Sequence, residues 1–142
     1  MPYLKINNRF PAFITIVFIM LSLLTACDAL REERAMDIWK DRINKPQLGD
    51  FYGVNQFTLN GEEAPDDNQF EIYKVVAFNS STITFIESAH LYNFYAVNDL
   101  IDTGEVTKIK MWTNNEEQFS YSKEELIPLL NSHVIGGVFR LD

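Results

Sequence analysis

Three groups of side chains in this 142-residue sequence have residue types and spacings that chemistry uses. The first is Glu87-Ser88-Ala89-His90, a Glu-x-x-His spacing of the kind found in carboxylate-rich metal centres. Those centres put the pair on a helix and bring further carboxylates alongside. Here the pair follows a strand pattern, and His133, the only other histidine, sits in a separate loop. Two ordinary imidazoles are expected, with no metal bound. The second group is Glu62, Glu63, Asp66 and Asp67, hard oxygens of the kind calcium prefers. The stretch lacks the alternating ligands, central glycine and closing glutamate of a calcium loop, so it reads as a solvated acidic loop. The third group is aromatic: Tyr52, Tyr95, Trp112, Phe119 and Tyr121. Aromatic anchors ringed by acids make a protein-recognition surface, and Tyr52, Tyr95, Trp112, Glu62, Glu63, Asp66 and Asp67 are the expected binding residues.

Catalysis has little to build on. The sequence contains no Gly-x-Ser-x-Gly elbow, and its paired carboxylates, Glu62/Glu63 and Glu124/Glu125, are sequence neighbours that do not aim at a shared substrate. An enzyme is not expected.

The only cysteine, Cys27, allows no disulfide within the chain. What precedes it has the order of a secretory signal: Lys5 and Arg9, an uncharged run rich in Phe, Ile, Val and Leu from Phe10 to Leu24, then the small pair Thr25-Ala26. Leu24-Thr25-Ala26-Cys27 resembles the lipobox of bacterial lipoproteins. The resemblance covers this leader alone. It implies that the Cys27 thiol carries diacylglycerol, that residues 1–26 are removed, and that the new amino group is acylated. No other cofactor is expected. Each buried methylene contributes about 0.8 kcal/mol, so two or three chains hold a protein at a bilayer where one does so only marginally. Asp28, directly after the cysteine, resembles the inner-membrane retention signal of double-membraned bacteria, although Ala29 is not among its strongest partners. The expected location is the periplasmic face of the inner membrane, with the outer membrane as the alternative. An uncleaved anchor is the competing reading, because Phe10–Ala26 is 17 uncharged residues, at the lower edge of a spanning length.

Removal of residues 1–26 takes two bases and no acid, which moves the formal charge from −8 to −10. Such a surface repels phosphate backbones and lacks the basic cluster that holds proteins to anionic headgroups, so nucleic acid is excluded as a partner. A cationic protein partner fits the charge.

The remaining 116 residues suffice for one core. Three parts are expected: signal 1–26, an acylated Cys27 with helix and linker to 45, and a β-rich domain over 46–142. Residues 28–43 form the helix, with Ala35, Met36, Trp39 and Ile43 along one side. The bland expectation is that Trp39 and Ile43 pack on the domain. Lys45–Asp50 is a turn, followed by a strand from Phe51 to Leu59 that ends at Asn60-Gly61. Phe70–Phe78 and Thr82–Glu87 read as an antiparallel hairpin across Asn79-Ser80-Ser81. Ala89–Leu100 suits strand or short helix. Val106–Trp112 alternates as a strand, with Gln118–Tyr121 as its hairpin return. Ser122 and Glu125 form a capping box for a short helix containing Pro128. Val134–Leu141 is the last strand, with a bulge or bend at Gly136-Gly137. The fold class is mainly β (α+β), a small antiparallel curled sheet or barrel with an N-terminal helix and a short C-terminal helix. The functional expectation is a lipid-anchored, non-catalytic protein-binding module, such as an immunity protein or inhibitor for a cationic envelope toxin or hydrolase. An accessory subunit of an inner-membrane complex, and small-ligand binding in the curled sheet, are the alternatives.

Overall fold

The computed structural model describes residues 10–62, 69–108, 112 and 117–141, with side chains described from residue 26 onward. The first helix, α1, runs Phe10–Asn44 and contains the helix expected over 28–43. Chain contacts form two compact units, Met1–Met36 and Asp37–Asp142. In the first unit residues 26–34 are exposed, Cys27 and Asp28 among them. Among the described residues no helix is long and apolar enough to cross a membrane.

The second unit is organised by five strands: β1 (Phe51–Asn55), β2 (Phe70–Phe78), β3 (Thr82–Glu87), β4 (Phe119–Ser122) and β5 (Ile135–Phe139). Their spatial order is β4-β3-β2-β1-β5, and every neighbouring pair is antiparallel. The sheet curls but does not close, so the barrel alternative gives way to an open sheet with β4 and β5 at its edges. β2 and β3 have the expected bounds and hairpin. Asn79 Oδ1 accepts the backbone N–H groups of Ser81 and Thr82 at 2.9 and 2.8 Å, which turns the chain between them.

Two local expectations fail and one open alternative is decided, each for a stated reason. The strand begun at Phe51 stops at Asn55 rather than Leu59, because the Asn55 side chain accepts the N–H of Thr58 and caps a short helix, α2 (Gln56–Asn60). Gly61, at φ 71°, closes it. The ambiguous stretch is helical over α3 (Phe94–Asp102), where Asn93 caps by accepting the N–H of Ala96. The alternation at Val106–Trp112 is not a strand in its described part: Gly104, at φ 71°, starts a 3-10 turn over Glu105–Thr107, and Trp112 makes a single bridge to Ser88. Residues 109–111 lie outside the described set. β4 pairs with β3, not with residues 106–108 or 112.

At Gly136 the β1–β5 register skips one residue, the expected bulge. A Cβ there would stand 2.9 Å from the Phe70 ring, so the bulge lets an aromatic side chain lie against backbone. The capping box is present: Glu125 N–H donates to Ser122 Oγ at 3.1 Å and Ser122 N–H to Glu125 Oε2 at 2.7 Å. It begins α4 (Lys123–Asn131), which passes Pro128 and buries Leu126 and Leu130. Ser122→Ala is expected to lower unfolding free energy by about 1 kcal/mol in urea denaturation, the usual cost of a lost N-cap.

Strand pairing sorts the side chains onto two faces. Tyr52, Tyr73, Phe85, Glu87, Phe119 and Tyr121 share one, and the aromatic rings among them pack at centroid distances of 4.8 to 6.5 Å. Phe51 and Ile72 occupy the other, buried with Val97 and Ile101 of α3 and with Val106. In the same unit Ile43 is fully buried and the Trp39 ring lies 6.5 Å from that of Phe139, so both pack on the domain as expected.

Candidate functional site

The most distinctive side-chain grouping lies where β1 turns into α2. Asn55 Nδ2 donates to Gln69 Oε1 at 2.9 Å and Gln56 N–H to the Gln69 carbonyl at 2.9 Å, which fixes the first turn of α2 against the start of β2. That turn carries Gln56 over the sheet face on which Glu71 and Tyr73 alternate along β2. Register sets Glu87 opposite Tyr73, and β4 adds Phe119 and Tyr121. Between α2 and these strands is a cleft of about 400 Å³ lined by Gln56, Tyr73, Glu87, Phe119 and Tyr121 among others.

Its electrostatics follow from placing two acids together on a half-buried surface. The Glu71 and Glu87 carboxyls are hydrogen-bonded to each other. Desolvation, followed by the charge of Glu87, pushes the Glu71 pKa up to about 7. Gln56 Nε2 donates to Tyr73 Oη. Burial pushes the Tyr73 hydroxyl above its ordinary range, and burial and then Glu125 and Glu87 do the same to Tyr121, so both phenols stay neutral. A cation entering the cleft meets carboxylate oxygens and aromatic faces together. Hydrogen-bonded carboxyls stand closer than the about 5–5.5 Å that a retaining glycosidase pair keeps.

The sequence-predicted residues are dispersed. Tyr52 has no exposure at all, because β1 is covered on both faces; it is a core residue and not a surface anchor. Trp112 is half-buried, stacked on Phe51 at 5.9 Å beneath the Lys74 ammonium at 5.5 Å. Tyr95 is 84% exposed. Glu62 is exposed at the end of α2, while Glu63, Asp66 and Asp67 lie outside the described residues. Cys27 and Asp28 stand on α1. His90 is exposed beyond the end of β3, and among the described residues no three His, Cys, Asp or Glu side chains gather as metal ligands.

One serine–lysine spacing, Ser120-Tyr121-Ser122-Lys123, also occurs. Its ends are engaged elsewhere: Ser120 Oγ hydrogen-bonds Thr84 Oγ1 at 2.8 Å, and Lys123 Nζ donates to the Asn44 carbonyl at 3.0 Å. Glu71 and Glu87 were the residues that sequence reasoning missed as a pair. The alternation of β2 places Glu71 beside Tyr73, but only the β2–β3 register brings Glu87 to them. No protein family, no curated protein and no solved structure matches the chain.

Proposed function

We propose that the protein is an envelope lipoprotein, held by lipid on Cys27 at the periplasmic face of the inner membrane, whose folded domain is a non-catalytic binding module for a cationic protein. The Leu24–Cys27 motif supports the anchor, and Asp28 supports the choice of membrane. The single observation that carries the binding half is the cleft, in which the Glu87 carboxyl, hydrogen-bonded to that of Glu71 behind it, stands among Tyr73, Phe119 and Tyr121. A lysine or arginine side chain pairs with the carboxylates and lies over the rings. An inhibitor or immunity protein for a basic envelope toxin or hydrolase is the version of this reading that the charge favours.

The test uses the full-length chain expressed with its native leader. Wild type is expected to incorporate palmitate and to retain a basic protein from detergent-solubilised envelopes. Cys27→Ser abolishes labelling, and Glu71→Gln/Glu87→Gln weakens retention about tenfold or more. Unlabelled wild type sinks the anchor, and undiminished retention by the double glutamine variant sinks the cleft. A second reading, an accessory subunit docked through α1, is favoured by Leu30 and Ile38, each more than half exposed. Leu30→Ser and Ile38→Ser abolish retention if that reading holds and leave it unchanged if the cleft does the binding.

A further inference from the structure

The exposed side of α3 carries charge at the wrong end of its own helix. Tyr95, Asn98, Asp99 and Asp102 recur at helical spacing on one face, opposite the buried Val97 and Ile101. The first turn has no acid and the last turn no base, so Asp99 and Asp102 stand near the negative pole of the helix and repel each other three residues apart. Among the described residues neither has an ion pair, and the nearby Lys108 is held by Glu105. Folding of the domain alone is not helped by this arrangement.

Beside these acids the surface is apolar. Tyr95 is 84% exposed, Phe94 41% and Leu91 37%, and next to them lies a cavity of about 350 Å³ lined by Gln69, Phe70, Asn93, Phe94 and Tyr95. Anionic headgroups and nucleic acid are both repelled by the two aspartates. A second copy of a chain with formal charge −8 brings like charge to like. A basic segment with an apolar side chain complements every part of the surface.

We propose that this face of α3 docks a segment of a protein partner in which arginine or lysine flanks an apolar residue. The cation lies over Tyr95 against Asp99 and Asp102, and the apolar side chain enters the cavity beside Phe70 and Phe94. The inference rests on the protein-binding reading and adds to it a second surface, independent of the cleft.

The experiment titrates the full acylated chain, in uncharged lipid nanodiscs, into three fluorescein-labelled heptapeptides. One has the core Arg-Leu-Arg between Gly-Ser ends, one replaces its Leu by Ser, and one replaces both Arg by Glu. The Arg-Leu-Arg peptide is expected to bind saturably, one per chain. Tyr95→Ser and Asp99→Asn/Asp102→Asn are each expected to weaken it about tenfold, the size of a lost anchor, and to do so equally when the cleft is disabled by Glu71→Gln/Glu87→Gln. Because the aspartates oppose the helix dipole, the asparagine variant keeps or gains melting temperature while losing affinity, which a folding defect does not do. Equal binding of the Leu and Ser peptides, or no binding of either, overturns the proposal. Self-association abolished by Tyr95→Ser overturns it in favour of a second copy. Loss of binding in the cleft variant alone overturns it while leaving the cationic-partner reading intact.

Discussion

Arg140→Ala lowers the unfolding free energy of the domain by about 3 kcal/mol in urea denaturation. The cause is the carboxylate of Asp50, which is 1% exposed at the start of β1. It accepts Arg140 Nε on one oxygen and Arg140 Nη2 on the other, both at 2.7 Å, and the Gln47 N–H at 2.8 Å. Arg140 Nη2 also reaches the Lys45 carbonyl at 3.1 Å, so the residue after β5 latches the loop before β1. With Arg140 gone, a buried negative charge keeps one backbone donor and loses its counter-ion. That is the expensive way to break an ion pair. Asp50→Asn combined with Arg140→Ala removes the stranded charge, so the double variant is expected to recover about 1 kcal/mol or more relative to Arg140→Ala. Against the about 5–15 kcal/mol that holds a small domain together, the single change is large. An Arg140→Ala variant within about 0.5 kcal/mol of wild type shows that the latch contributes nothing.

This pair also shows where sequence reading stops. The turn over Lys45–Asp50 was legible because Pro46, Gly49 and Asp50 act on their own backbone, and Asp50 does bond the Gln47 N–H. Its partner 90 residues away was not, because nothing local in Arg140 distinguishes it from a solvated base. The same division runs through the fold. β2, β3, the Asn79 turn and the Ser122 box depend on neighbours within a few positions and were legible. β4 pairing with β3, and Glu87 meeting Glu71, depend on register between segments and were not. Tyr52 failed as a surface anchor because β1 lies inside the sheet, where an aromatic strand buries both faces. Asn55 failed as a strand residue because a side-chain cap competes with β-propensity over a single turn, and here the cap won. Tyr95 was legible as an aromatic candidate, but its surface acquires meaning only from the inverted charge of a helix whose bounds the sequence left open.

Stability is expected to fall as pH rises from about 5 to 8, and Glu71→Gln removes most of that slope. The sign follows from the direction of the shift. Glu71 titrates near the ordinary value of 4.5 when unfolded and at about 7 when folded, because burial and then the charge of Glu87 penalise its ionised form. Between these values the folded chain binds the extra proton, so each step up in pH favours the unfolded chain. Below 4.5 both states are protonated and the effect vanishes; above about 7 it is fully developed. Glutamine keeps a donor toward Glu87 and never ionises, so the variant matches wild type at pH 4.5. At pH 8 it is more stable by about 1–2 kcal/mol, the full shift having been reduced for the screening that a half-buried group feels. The groups facing Glu71 are Glu87, Tyr73 and Gln56, with Tyr121 beyond, and none of them supplies a compensating positive charge. The same proton opposes a bound cation, so affinity for a basic partner at the cleft is expected to rise through pH 7 in wild type. Urea melts of wild type and Glu71→Gln across pH 4.5 to 8 decide the matter. Parallel pH profiles show that Glu71 is an ordinary surface acid.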